Sequence, residues 1–393
     1  MKIGLWSDCH NFPSVPLMKL SAYHKSIGDE AERYDHTKHY DLVYASKVFN
    51  FSPDIDSDYP VQADEIRKGG TGYCISVVNG REVYDKSKDS MLPKEIEHIY
   101  PDYSLYPEYS YAVGFLTRGC PRQCGFCVVG KKEGCLSRQV ADLDEFWRGQ
   151  QEIKLLDPNL LACSAHEEIL QQLAFCKYTY IDFTQGLDIR LISKDNINLL
   201  NRLKIKNIHF AWDNPRQDLT RYFKIFSAYT NVRDVRRKTV YVLTNYNSTI
   251  DDDLYRIYTL RDLGYSPYVM IYQKQTCDRT HRALQRWVNC KFIFRSVKRF
   301  EDYNNRRYAM VITDVTIMLT EGTGRQRADV AIVLDNELRI NNIKLIDNGT
   351  RMFVAFPRSN SKSTSPDVFP ISSAVRDYIE TQIIKKYKEV RTV

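Results

Sequence analysis

FLTRGCPRQCGFCV, residues Phe115–Val128, decides how this chain is read. Cys120, Cys124 and Cys127 stand in it at a C-x3-C-x2-C spacing. Three thiolates so placed, with no fourth cysteine close by, suit three corners of a [4Fe–4S] cube, because such clusters are held by cysteine thiolates. The fourth iron is then open to a small ligand. A zinc site would need four ligands in paired C-x2-C or C/H sets, and no second pair follows at a workable spacing. Cys135, the next cysteine, lies beyond the polar Gly130–Gly134 turn. The other cysteines scatter singly and Met1–Asp8 reads as a short strand rather than a leader. Disulfides are therefore not expected, and a reducing, cytoplasmic setting is.

The flanks of the motif agree with this. Tyr111–Thr117 alternates as a half-buried strand that runs straight into the cysteine loop. Gly119, Pro121 and Gly125 let that loop turn tightly around a cube. With Phe126 directly before the third cysteine, the segment resembles the radical S-adenosylmethionine (SAM) superfamily. The resemblance implies that Cys120, Cys124 and Cys127 hold a [4Fe–4S] cluster and that Phe126 packs beside the adenine of SAM. It implies reductive cleavage of SAM to a 5′-deoxyadenosyl radical, chemistry that belongs to the cofactor. It also implies an electron donor such as flavodoxin or ferredoxin.

Outward from the motif, the chain reads as α/β in three modules. Residues 1–95 begin strand–helix–strand, with Lys2–Trp6, Val15–Ile27 stopped by Gly28, and Leu42–Val48. That is the start of a parallel, Rossmann-like unit, and it resembles the degenerate cobalamin-binding-type domain that precedes many radical SAM barrels. Asp8, His10 and Asn11 only faintly echo the cobalamin signature, with Pro13 at its glycine position, so cobalamin is not expected and His10 reads as a loop hydrogen-bonder. Gly69, Gly70 and Gly72 form a turn-rich stretch that would let a ligand approach closely. Residues 85–110 read as a connector.

Across 105–303 strands alternate with helices. The strands are Tyr111–Thr117, Ile153–Leu156, Tyr180–Thr184, Asn207–Trp212, Thr239–Thr244 and Tyr268–Tyr272, and the helices include Glu167–Phe175, Asp195–Leu203, Asp251–Leu263 and Arg279–Val288. Six such units match a partial (β/α)6 radical SAM barrel, whose ligands sit at the C-terminal strand ends. Those ends are polar: Asp157, Gln185, Arg190, Asp213 and Asn245. A guanidinium fork at Arg190 suits the SAM carboxylate, and Asp157, Asp213 and Asn245 suit its ribose or amine. Helix capping is the plain alternative for Asp and Asn. His209 and Trp212 read as packed core.

The pattern then changes to strand alternation. Met310–Thr320, Arg327–Leu334, Leu338–Ile346 and Arg351–Phe356 read as strands, with turns at Asp335-Asn336 and Asn348-Gly349, and a helix follows from about Ser372 to Arg391. Val375, Ile379, Ile383, Tyr387 and Val390 form its apolar face. With the stretches ITDVTIML, RADVAIVLDNELRINNIKLID, MFVAFP and FPISSAVRDYIETQII, residues 308–393 resemble the SpoVG septation family, a small α+β domain of antiparallel sheet plus C-terminal helix. That resemblance implies a homodimer that binds DNA or RNA, with Lys385, Lys388 and Arg391 on phosphate. The segment's own balance is small, twelve Lys/Arg against ten Asp/Glu from Tyr308 onward. Dimerisation alone is the competing reading.

The hydrophobic fraction of 43% and charged fraction of 27% are those of a globular chain, and no apolar run reaches the ~20 residues a bilayer demands. Net charge is +7, and two stretches concentrate it. Arg202–Lys238 and Lys274–Arg307 each hold ten Lys/Arg against three Asp/Glu. They form a nucleic-acid surface if they converge in space. The expected activity is thus SAM cleavage with hydrogen abstraction from a substrate, a nucleic acid or nucleotide. Two alternatives stand beside it. One is a SpoVG-type regulator whose cluster senses redox state or organises the fold. The other is a methylthiotransferase-like, small-metabolite or peptide radical enzyme, although methylthiotransferases carry three cluster cysteines in the N-terminal domain, where this chain has Cys9 and Cys74.

Overall fold

A computed structural model describes residues 1–78, 81–303, 311–320, 324–335, 338–358, 366–370 and 373–391. The chain divides into two compact units, Met1–Arg295 and Ser296–Val393. The Arg306-Arg307 junction, Asn336 and most of the Ser359–Pro366 loop lie outside the described residues.

The first unit holds two parallel sheets. The smaller is built from β1 (Lys2–Ser7), β2 (Glu30–Arg33), β3 (Tyr40–Ser46) and β4 (Ala63–Gly69) in the order β2-β1-β3-β4. Helix α1 (Val15–Ser26) crosses between β1 and β2. Apolar alternation made β1 and β3 legible, whereas β2 and β4 are almost entirely exposed and polar, EAER and ADEIRKG. Gly70 and Gly72 serve the chain itself: a Cβ on Gly70 would stand 2.4 Å from the Lys47 carbonyl oxygen, and one on Gly72 2.8 Å from that of Phe49.

The larger sheet contains β5 (Ala112–Gly114), β6 (Glu152–Leu155), β7 (Tyr180–Phe183), β8 (Lys204–Ala211), β9 (Lys238–Thr244) and β10 (Ser266–Ile271). All are parallel, and the order β5-β6-β7-β8-β9-β10 follows the chain. Helices α2 (His166–Phe175), α3 (Lys194–Leu200), α4 (Thr220–Tyr229) and α5 (Ile250–Asp262) connect the strands from β6 onward, and α6 (Arg279–Asn289) follows β10. One strand face carries Ile181, Phe183, Ile208, Phe210, Val240 and Val242, all buried. The other face is polar, with Lys154, Asp182, His209 and Tyr241 on successive strands.

Residues 85–110 do more than connect. Ile96, Leu105 and Tyr106 join the core under β1 and α1, which continues to Val113 and touches Leu156. Tyr103 Oη donates to the Phe146 carbonyl at 2.7 Å and accepts from Val113 N at 3.1 Å. The expected strand Tyr111–Thr117 is shorter than its apolar run. It stops at Gly114, and the amides of Leu116 and Thr117 turn away to the Asp157 carboxylate.

The second unit is an antiparallel sheet, β11 (Ile312–Leu319), β12 (Gln326–Leu334), β13 (Leu338–Asp347) and β14 (Met352–Ala355), in that order, with α7 (Ser373–Arg391) packed on it. Ile379, Ile383 and Tyr387 of α7 are buried against Val330, Ile332, Ile343 and Leu345, with Val375 alongside. Val390, expected on that apolar face, is exposed because the helix has run past the sheet's core by then. No helix among the described residues is long and apolar enough to cross a membrane.

Candidate cluster and cofactor site

The cysteine loop begins where β5 ends, and backbone geometry shapes its entry. Gly119 has φ +89°, and a Cβ there would lie 2.2 Å from the Leu136 carbonyl oxygen, so this position requires glycine. Glu133 accepts from Gly119 N and pairs with Arg118, both at 3.2 Å. Cys120 N donates to the Gly134 carbonyl at 3.1 Å and Cys127 N to that of Cys124 at 3.0 Å. All three cysteines are free and partly exposed.

From there the loop meets the ends of the following strands in turn. After β6, the Asn159 amide donates to Cys120 Sγ at 3.5 Å. After β7, Asp188 accepts from Arg122 at 2.7 Å and from Arg190 at 2.6 Å. After β9, Tyr246 touches the loop, its ring edge-on to Phe126 at 5.3 Å and to Tyr272 at 4.9 Å. A Cβ on Gly125 would stand 2.6 Å from Tyr246 Oη, so a bare glycine lets the loop dock here.

Burial holds the titrating groups of the site toward their neutral forms. Burial, then the thiols of Cys127 and Cys120 and the carboxyl of Asp213, push Cys124 up, while Arg190 opposes them. Cys127 is pushed up by burial and by Cys120, Asp213 and Glu133. Burial raises the Asp213 carboxyl to about 6 against the pull of the Leu243 backbone, Arg256 and Arg190. Burial is the largest cause for all three groups, and the deprotonated forms that bind metals need a positive centre beside them.

Among the described residues, no three His, Cys, Asp or Glu side chains converge as ligands of a single ion. A tetrahedral zinc needs sulfurs ~2.3 Å from one point. Three thiolates that each hold a separate iron of a cube stand further apart.

The expected SAM contacts divide into two groups. Arg190 and Asp213 are brought beside the cysteines. Arg190 already spends Nε and Nη2 on Asp188, and Nη1 reaches Gln217 Oε1 at 3.3 Å. Phe126 is half-buried beside Tyr246, and Gln185 is exposed. Asn245, at φ +61°, donates to the Tyr272 carbonyl at 2.8 Å and so ties β9 to β10. Asp157 is buried, and its Oδ1 accepts from Leu116 N, Thr117 N and Thr117 Oγ1. It clasps the root of the cysteine loop, and its Oδ2 has no partner.

Burial raises Asp157 to about 6 despite those donors. A carboxyl raised on folding makes the folded state bind more protons, so stability falls as pH climbs from about 4 to 6 and is level above. Two units correspond to about 3 kcal/mol. Urea melts of wild type and Asp157→Asn should therefore show the wild type losing up to that much relative to the variant across this window. A pH-independent difference would show that Asp157 is not the titrating group.

Tyr246 and Gln217 were not singled out from sequence, and Asn159 was read only as part of the polar strand end Asp157-Pro158-Asn159. Trp212 is fully buried as expected, its Nε1 donating to the Gln217 carbonyl at 2.8 Å. His209 lies on the polar sheet face rather than in the apolar core. Its ring stacks on Tyr241 at 5.4 Å, its Nδ1 is 3.0 Å from the Phe183 carbonyl, and Asp182 is 3.9 Å away. Burial depresses its pKa while Asp182 opposes. In the second unit Lys385, Lys388 and Arg391 are all exposed on α7.

Comparison with known proteins gives a family for part of the second unit. The family model SpoVG matches residues 310–389. A protein of Agathobacter rectalis named "Putative septation protein SpoVG" is 36% identical over 81 residues, 20% of this chain and 93% of its own length. Its namesake in Shouchella clausii is 37% identical over 86 residues, 21% of this chain and 85% of its own. Among solved structures, the radical SAM methyltransferase TsrM of Kitasatospora setae, with cobalamin and a [4Fe–4S] cluster bound, aligns at a TM-score of 0.49 and 10% identity. That alignment covers 69% of this chain and 74% of the other.

Proposed function

This chain belongs to the SpoVG family through residues 310–389, and from that premise we propose that it is a radical SAM enzyme carrying a SpoVG module. The observation that carries the reading is the cysteine loop laid against the ends of successive parallel strands, with Asn159, Arg190 and Asp213 around the thiols. Bound there, a [4Fe–4S] cluster and SAM would supply the electron transfer and C–S cleavage that yield a 5′-deoxyadenosyl radical.

The chain's own residues have definable tasks. Cys120, Cys124 and Cys127 donate sulfur, and Asn159 orients one of those sulfurs, as outer-shell partners do. Asp188 holds Arg122 and Arg190 at the mouth, where their charge favours an anionic carboxylate. Phe126 and Tyr246 offer an apolar edge to adenine, and Asp213 an acceptor to ribose or amine. The polar face with Lys154, Asp182 and His209 lines the path of a substrate whose hydrogen is abstracted. Lys385, Lys388 and Arg391 bring nucleic acid to the enzyme, and flavodoxin or ferredoxin supplies the electron.

The test is anaerobic reconstitution with iron and sulfide, then dithionite and SAM, with chromatography for 5′-deoxyadenosine. Formation is expected. An intact cluster that yields none would favour the second reading, which the SpoVG module itself supports: a nucleic-acid-binding regulator that uses its cluster as a sensor.

A further inference from the structure

The large sheet has another edge, where its strands begin, on the side away from the cysteine loop. Turns 176–179, 201–203 and 230–237 arrive there, and with them comes most of the basic stretch Arg202–Lys238. Between the last two turns lies a cleft of ≈ 180 Å³ whose polar lining is Lys204, Arg233, Arg237, Asn201 and Asn231, over an apolar floor of leucine, isoleucine and valine side chains. Asp234 is the one acid on the lining, and Arg236 pairs with it at 2.8 Å.

The cations are positioned by backbone. Arg233 donates to the Ser227 carbonyl at 3.2 Å and Arg237 to that of Ile205 at 3.5 Å. Asn201 pins the two turns together, donating to the Tyr229 carbonyl at 2.9 Å and accepting from Asn231 N at 2.7 Å. Each guanidinium keeps further N–H groups for a ligand.

Aromatic residues stand at the same edge of the sheet. Tyr180 opens β7 and is in register with Lys204, whose Nζ stands 3.9 Å from its ring centroid. Tyr178 is 87% exposed and Phe175 82%. Tyr229, beside Lys194, is also exposed. The bare rings of Tyr178 and Phe175, on the same edge as Lys204, Arg233 and Arg237, suit unpaired bases that stack while their phosphates are held. The cleft is smaller than the ~300 Å³ of the smallest ligand pockets, so it takes a phosphate and leaves the bases to the rings outside.

We propose that this strand-start edge, from Tyr178 through Lys204 to Arg237, binds single-stranded nucleic acid. It uses residues of the first unit only and does not depend on the chemistry at the cysteines, so it is tested without SAM or reductant.

The experiment measures fluorescence anisotropy of full-length protein with a labelled mixed-sequence 20-mer, single-stranded RNA or DNA, and with its duplex, over a salt series. Lys204→Ala/Arg233→Ala/Arg237→Ala should weaken single-strand binding about tenfold or more and flatten the log–log salt slope by about 2, at ~0.7 per phosphate lost. Tyr178→Ser should weaken single-strand but not duplex binding. Unchanged affinity and slope in a triple variant that melts like wild type would overturn the proposal. So would equal affinity for duplex, dependence on α7 alone in Lys385→Ala/Lys388→Ala/Arg391→Ala, or binding to anionic phosphatidylserine vesicles in place of oligonucleotide. Should the triple variant fail to fold, 4-thiouridine crosslinking of wild type decides: adducts on peptides 175–180 and 229–237 support the edge, and adducts elsewhere alone refute it.

Discussion

Alanine at any one of Cys120, Cys124 or Cys127 should leave anaerobically reconstituted protein without its cluster absorbance and without 5′-deoxyadenosine formation. The loss should exceed the roughly 10–100-fold that removal of an outer-shell partner costs a metal site. Asn159→Leu supplies that smaller comparison, because it removes only the donor to Cys120 Sγ. The thiols are partly exposed on a loop rather than packed in the core, so the apo forms should melt within a few degrees of wild type. Cys135→Ala should bind iron normally, since that exposed thiol's contact is with the Gly130 carbonyl. The sharpest contrary result would be full iron and sulfide content with two of the three cysteines present. Iron analysis, visible spectra and product chromatography on the same samples separate cluster loss from catalytic loss.

What the sequence disclosed follows from what periodicity records. The cysteine spacing was explicit. Strands β7 and β9 were legible because an apolar run stops at a polar residue just where the sheet ends. The antiparallel module announced itself by alternation. Strands β2 and β4 were not legible, since side chains exposed on both faces leave no apolar period to detect. Asn245 shows a different limit: nothing in the sequence of a strand-end amide tells that it ties one strand to the next. Aromatic residues such as Tyr246 carry no signal of their own, and its role emerges only from the bare Gly125 it meets. His209 misled because an imidazole within an apolar run is assigned to the core, whereas β8 alternates from Asn207 to Phe210 and puts His209 on the polar side.

Arg256 was the least visible of all, because Asp253 and Arg256 at i and i+3 on α5 read as an ordinary surface pair. Both are fully buried. Arg256 Nη1 donates to the carbonyls of Trp212 at 2.6 Å and Asp213 at 3.1 Å, and Nη2 to that of Leu243 at 3.0 Å and to Asp253 Oδ1 at 2.5 Å. One guanidinium therefore fastens the ends of β8 and β9, and with them the backbone of Asp213. Burial depresses Arg256 and raises Asp253, each pulled back by the other. Arg256→Ala strands a buried carboxylate and three carbonyls, and should cost about 3–5 kcal/mol in urea melts. Removing both charges in Arg256→Met/Asp253→Leu should recover much of that stability, because the desolvation penalty goes with them. It should not recover the anchoring of Asp213, which needs the guanidinium itself. The double variant is thus expected to fold, load its cluster and release 5′-deoxyadenosine slowly. Wild-type rates in it would mean that the strand ends hold Asp213 unaided, and a double variant no more stable than Arg256→Ala would show that the carbonyls, not the orphaned carboxylate, carry the loss.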